Sequence, residues 1–186
     1  MTDRADGTWV ILLRGINVHP TTMVGMAELR SLLEDLGYRE VRTLLRSGNV
    51  LLSSPTRPAV PPIEAAIVAR TGVGAKVVVL SLAELRGIAV ANPLPGDSAI
   101  QGRDDLSRMV ITFLADDIVP GDVTRPSDAD LEPERLVVAA RAIYQWCPEG
   151  ILKSRLKPAW WRQFDGTLTA RSVRTVNRIL DAAENS

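Results

Sequence analysis

Two short runs of the chain carry the residues best suited to holding an anion: Leu13-Arg14-Gly15-Ile16-Asn17 and Leu45-Arg46-Ser47-Gly48-Asn49. Each ends an apolar stretch with an arginine, a glycine and an asparagine. Arginine presents five N–H donors in a fixed fork that matches carboxylate or phosphate. Glycine-containing turns expose backbone N–H groups to the same kind of ligand. Arg14, Asn17, Ser47 and Asn49 are therefore candidate ligand-binding residues. The competing reading is that Asn17 and Asn49 hydrogen-bond the turns they occupy, while Arg14 pairs with an acid such as Glu40.

A second set lies near the C-terminus. Arg171, Arg174 and Arg178 are spaced three and four apart, so on one helix they share a face. Arg171 falls near the start of that helix, where backbone donors favour anions. With Trp160 and Trp161 as a stacking platform, this set suits an RNA backbone and its bases. The alternatives are a solvated basic face and aromatic packing, Trp161 and Phe164 sharing a helix face with Leu156. Ser154, between Lys153 and Arg155, either binds a ligand or caps the helix that follows.

Other chemistries find little support. One His (His19) and one Cys (Cys147) offer no metal-ligand spacing. Carboxylate pairs at Asp104-Asp105 and Asp116-Asp117 are the remaining option for Mg²⁺, and no cofactor is expected. There is no G-x-S-x-G elbow, P-loop or G-x-G-x-x-G fingerprint. Cys147, between Trp146 and Pro148, reads as a small packing residue.

The elements that position these residues follow from periodicity. Residues 9–13 form a buried strand. Met26, Leu29, Leu32, Leu33 and Leu36 recur at helical spacing, and Gly37 stops the helix. Residues 41–45 and 50–52 are strands joined by a tight turn at Ser47-Gly48. Pro61-Pro62 opens a helix that Gly72 ends, and 76–80 is a fourth strand. Strand, helix, strand, strand, helix, strand is the ferredoxin-like order. It sets the first and second strands parallel with the third between them, which brings the two Arg-Gly-Asn runs to one edge. Ser81 and Glu84 form a capping box for a further helix that stops before Asn92-Pro93.

The second half repeats the order more loosely. Its strands are 109–114, 136–139, 143–146 and a short edge strand at 167–169. A weak helix signal covers 121–130, a helix interrupted near Pro158 covers 151–164, and Ser172 caps a terminal helix. The expected fold is α+β, two tandem ferredoxin-like (α-β plait) domains with antiparallel sheets, at 7–92 and 106–186, joined by a linker at 93–105.

The segments LLRGINV (12–18), VGMAELR (24–30), VRTLLRSGNV (41–50), PEGILKSRL (148–156) and TAR (169–171) resemble a bacterial family, the domain-of-unknown-function 1697 family. The resemblance implies two ferredoxin-like domains and carries no activity with it. Two departures stand out. Glycines usual after the first Asn-Val are replaced by His19-Pro20, and the usual Asn-Trp-Asn after Thr-Ala-Arg is replaced by Ser172-Val173-Arg174.

Composition bounds the function. No window reaches the roughly 18 apolar residues of a membrane helix, and the polar N-terminus lacks an apolar signal region, so a cytoplasmic protein is expected. Net charge is zero, which gives no general pull toward nucleic acid. The balance is uneven, however: 97–134 holds ten acids against three bases, and 153–178 holds seven bases against one acid. The leading expectation is a binding module for a small anionic molecule through Arg14, Asn17, Ser47, Asn49, Ser154 and Arg171. RNA binding through Arg171, Arg174, Arg178, Trp160 and Trp161 is the alternative, followed by an enzyme of unknown reaction or a structural partner in a complex.

Overall fold

Val10, Ile11, Leu12 and Leu13 are all buried, so this stretch of the first strand, β1 (Gly7–Arg14), meets water on neither face. The computed structural model describes residues 7–100, 105–164 and 167–185. They fall into two compact units, Met1–Arg86 with Ile179–Ser186, and Gly87–Arg178. After β1 the first unit continues with α1 (Met26–Asp35), β2 (Arg39–Leu44), β3 (Asn49–Ser54), α2 (Val60–Thr71) and β4 (Lys76–Ser81). Its sheet runs β2-β3-β1-β4, with every neighbouring pair antiparallel. This is the ferredoxin-like order.

Side chains alternate across a strand. Ile11, Leu13, Val50, Leu52, Val77 and Val79 therefore share one face, where they pack with Leu29, Leu32 and Leu33 of α1 and Ile63 and Ile67 of α2. Val10, Leu12, Leu51, Val78 and Leu80 point the other way and are buried as well. The capping box at Ser81 forms as expected. The Glu84 N–H donates to the Ser81 hydroxyl at 3.0 Å, and the Ser81 N–H to the Glu84 carboxylate at 2.6 Å. It opens α3 (Leu82–Val90).

In the second unit come β5 (Met109–Leu114), α4 (Asp128–Leu131), β6 (Arg135–Val138), β7 (Ala142–Trp146) and β8 (Leu168–Ser172); α5 (Val173–Glu184) begins in this unit and from Ile179 on belongs to the first. The sheet order β6-β7-β5-β8 repeats the first, again all antiparallel. The protein is thus an α+β chain of two tandem ferredoxin-like domains. The Tyr144 hydroxyl donates to the Ile88 carbonyl at 2.8 Å, within this unit. The Ser172 hydroxyl accepts from the Thr175 N–H at 3.3 Å and caps α5. Arg42 donates to the Ala182 carbonyl at 2.9 Å, and Arg86 meets Glu184 at 3.2 Å, both within the first unit. Among the described residues, no helix is long and apolar enough to cross a membrane.

Three local expectations change. The hairpin loop spans four residues, because Leu44 pairs with Asn49; Leu45 and Gly48 both adopt positive φ, 59° and 75°, and reverse the chain together. The interrupted helix at 151–164 is two 3-10 turns, Ile151–Lys153 and Pro158–Gln163. Ser154 between them is extended, and so is Lys157, as the residue before a proline tends to be. Residues 93–100, expected to begin a linker, form turns Leu94–Gly96 and Ser98–Ile100 with Leu94 and Ile100 buried. Residues 101–104, which include Asp104 of the first carboxylate pair, lie outside the described residues.

Candidate functional site

The two Arg-Gly-Asn runs meet at one end of the first sheet, where its inner strands β1 and β3 pair. Leu12 pairs with Asn49, and the Leu13 N–H donates to the Gly48 carbonyl at 2.8 Å. Gly48 has no room for a side chain: a Cβ there would lie 2.7 Å from Ile16 Cδ1 and 2.9 Å from Leu13 Cβ. Asn17 binds the two loops into one surface. Its Nδ2 donates to the Arg46 carbonyl at 2.7 Å and to the Val24 carbonyl at 3.2 Å, and its Oδ1 accepts from the Val24 N–H at 2.8 Å. Asn49 is fully buried and donates to the Leu44 carbonyl at 2.9 Å and the Ser47 hydroxyl at 3.0 Å. Topology thus gathers Arg14, Asn17, Ser47 and Asn49, and the two asparagines direct their amides into the turns. Arg14 is exposed and registers opposite Lys76. Glu40 lies at the far end of β2, where it accepts from the Ser53 hydroxyl.

The remaining candidates belong to the second unit. Arg171 lies in β8, opposite Ile111, rather than on the terminal helix. Its side chain is buried and donates to the Thr169 hydroxyl at 2.9 Å and the Ala170 carbonyl at 2.8 Å. Burial lowers its pKa to about 10. A strand residue turned inward cannot share an exposed face with Arg174 and Arg178, and this corrects the three-arginine stripe. Arg174 pairs with Asp105 at 3.2 Å, and Arg178 is exposed. Hydrogen bonds from Ser107 chiefly hold the Asp105 carboxyl below its ordinary range.

Ser154 works through Glu134, a buried carboxylate. The Ser154 hydroxyl donates to Glu134 Oε2 at 2.7 Å, and the Arg155 N–H donates to Oε1 at 2.6 Å. The Leu156 N–H then donates to Ser154 Oγ at 3.1 Å. These bonds fix the course of the chain between the two 3-10 turns. Cys147 is buried nearby, and desolvation, with the charge on Glu134 second, pushes its thiol up to about 12. A thiol so protonated is no nucleophile near neutrality.

Just beyond Ser154, a groove of about 570 Å³ opens on the second unit. Leu131, Leu156 and Trp160 give it apolar walls, and Arg155 and Lys157 bring two exposed cations. Its acid, Asp130, accepts from the Ser127 hydroxyl at 2.6 Å. Trp160 is held in place by its indole N–H, which donates to the Thr124 carbonyl at 2.6 Å. Trp160, Trp161 and Phe164 contact one another at 4.9–6.0 Å between ring centroids and pack on the core formed by Leu114, Leu131, Leu136, Ile143 and Leu156. Trp160 meets the other two rings edge-on, and Trp161 and Phe164 are tilted at 45° to each other, arrangements in which aromatic rings pack; the trio closes a core rather than offering parallel faces to bases. Asp116 and Asp117 border a smaller cavity of about 270 Å³, where Asp117 pairs with Arg141 at 3.2 Å. Among the described residues, no group of three or more His, Cys, Asp or Glu is placed to hold a metal ion.

Comparison with protein-family profiles matches residues 7–144 to a family described as "Protein of unknown function (DUF1697)". The chain belongs to the DUF1697 family. Its fold is similar to that of the conserved bacterial protein SP0830 from Streptococcus pneumoniae, with a TM-score of 0.68 and 23% identity over 97% of this chain and 99% of that one. No curated protein matches it. The two segments that depart from the DUF1697 pattern have structural roles here. His19-Pro20 opens the turn Pro20–Thr22, and the Val18 and His19 N–H groups donate to the Thr22 hydroxyl. Ser172-Val173-Arg174 carries β8 into α5.

Sequence reasoning missed Arg155 and Lys157 as a pair. Two residues apart, they diverge on a helix, and 151–164 reads as one. The available signal was Pro158, which makes Lys157 extended, combined with the i, i+2 spacing that puts side chains on one side of a non-helical stretch.

Proposed function

We propose that this DUF1697 chain is a binding module for a small anionic ligand with an apolar body, received in the groove of the second unit. The observation that carries the reading is the convergence of Arg155 and Lys157 on a groove walled by Leu131, Leu156 and Trp160. Its volume lies within the roughly 300–1,000 Å³ of small-molecule sites, which are mostly apolar with a few placed polar groups. Arg155 supplies a planar fork for a carboxylate or phosphate, and Lys157 a compact charge. Ser154 is a positioning residue in this reading, since it anchors the chain on Glu134 and leaves the neighbouring cation at the groove.

The test is thermal unfolding with hexanoate, hexyl phosphate, hexanol and hexylamine. A ligand binding only the folded state, at 100 times its Kd, adds about 2.7 kcal/mol of stability. Hexanoate or hexyl phosphate should raise the Tm while hexanol and hexylamine do not, and the rise should vanish in Lys157→Glu. Equal shifts with hexanol, or none with either anion, would remove the proposal.

A further inference from the structure

The groove of the second unit is charged on both of its sides, and the signs differ. One side is α4 and the residues before it, where Pro126, Asp130 and Leu131 line the groove. The other is the crossover, which contributes Arg155, Leu156, Lys157 and Trp160. Residues 128–134 hold four acids and no base, whereas 153–162 hold four bases and no acid. Glu134 is buried and engaged by Ser154 and the Arg155 N–H, and Lys153 pairs with Glu149 at 3.7 Å. Asp128, Glu132 and Arg162 are exposed and do not line the groove. That leaves Asp130 facing Arg155 and Lys157. These charges do not cancel: among the described residues, neither Arg155 nor Lys157 pairs with Asp130 or with any other acid.

Asp130 is held in place with capacity to spare. The Ser127 hydroxyl donates to its Oδ2 at 2.6 Å, and the Asp130 N–H donates back to that hydroxyl at 3.2 Å. An ionised carboxylate has about four acceptor sites, so this one bond fixes the group and leaves most of them for a ligand.

The three charges select among ligands by complementarity. A plain anion answers Arg155 and Lys157 but leaves a like charge on the facing side. A plain cation meets two positive charges for one negative. A molecule with an anion at one end and an ammonium at the other answers both sides. We infer, on the reading that this groove is the binding site, that its ligand is an ω-amino acid: its anionic group on Arg155 and Lys157, its ammonium on Asp130, and its apolar middle against Leu131, Leu156 and Trp160.

The experiment measures dissociation constants for the full chain by isothermal titration calorimetry, in low-salt buffer near neutral pH, where exposed charges are least screened. The ligands are butanoate, hexanoate and octanoate, and the same acids carrying a terminal amine or a terminal hydroxyl. At one chain length or more the amine should tighten binding about two- to fivefold, the worth of one exposed ion pair, and the hydroxyl should not. In Asp130→Asn the advantage of the amine should disappear. Asparagine keeps an oxygen to accept from Ser127, so this variant should melt like the parent chain. On the parent chain the ligands alone decide, so the test survives a variant that fails to fold. Acids that bind with no gain from the amine at any length would overturn the inference and leave the groove reading standing, whereas acids that bind in none of the three forms would remove both. An equal gain from the hydroxyl, or an amine advantage that persists in Asp130→Asn, would also overturn it.

Discussion

A thiol that keeps its proton in the folded protein and loses it more readily when unfolded ties stability to pH. Cys147 is such a group, with its pKa pushed from an ordinary 9.0 to about 12 by burial and by Glu134. Between those values the folded chain binds more protons than the unfolded one, so stability falls as pH rises. Below pH 9 the contribution is intact, and above 12 it is gone. Cys147→Ala should abolish this component of the decline, on the order of 1–4 kcal/mol, in urea midpoints measured from pH 8 to pH 11.5. Parent and variant declining in parallel would refute the assignment. Other single residues were harder to read from sequence. An asparagine beside a glycine can serve a ligand or its own turn with the same atoms, and only the distances at Asn17 and Asn49 show these amides engaged by their loops. Arg171 was misplaced because the helix begins after it, at Val173, so its spacing to Arg174 lost the meaning it has on a helix.

At the scale of elements, the hairpin between β2 and β3 depends on one missing methyl group. Gly48 combines a φ of 75° with the close approach of Leu13 and Ile16. Gly48→Ala should cost roughly 2–5 kcal/mol, since overpacking and backbone strain act together. A denaturant melt checks this, and a loss under 1 kcal/mol would mean that the loop relaxes without penalty. The eight strands were legible in the sequence because apolar runs bounded by Gly, Pro and Asn have few other solutions. Sheet order followed, since the split β-α-β pattern admits few arrangements. The crossover between β7 and β8 was not legible. Its apolar residues fall at helical intervals, yet Glu134, distant in sequence, captures Ser154 and Arg155 and holds the chain out of a helix. The cationic groove depends on that long-range capture, and so it too was hidden.

For the whole molecule, the two units do not follow the chain in simple succession. Ile179–Ser186 belongs with Met1–Arg86, and Ile179 is fully buried. A fragment ending at residue 92 lacks that segment, the Arg42–Ala182 hydrogen bond and the Arg86–Glu184 pair. It should be less stable than the same unit in the full chain by at least 2–4 kcal/mol, the range for emptying a large buried side chain's place. Amide hydrogen exchange on β1 and β4 measures this, and equal protection in fragment and full chain would contradict it. The same connectivity orders events at the ribosome. Gly87–Arg178 is contiguous and can close on itself as soon as it has emerged, whereas the first unit waits for its last residues. At about 5–20 residues per second, that wait lasts on the order of 5–20 s. Throughout it, a nascent sheet must persist with part of its cover still unsynthesised, so the exposure of this protein to chaperones and proteases during translation falls on its earliest-made half.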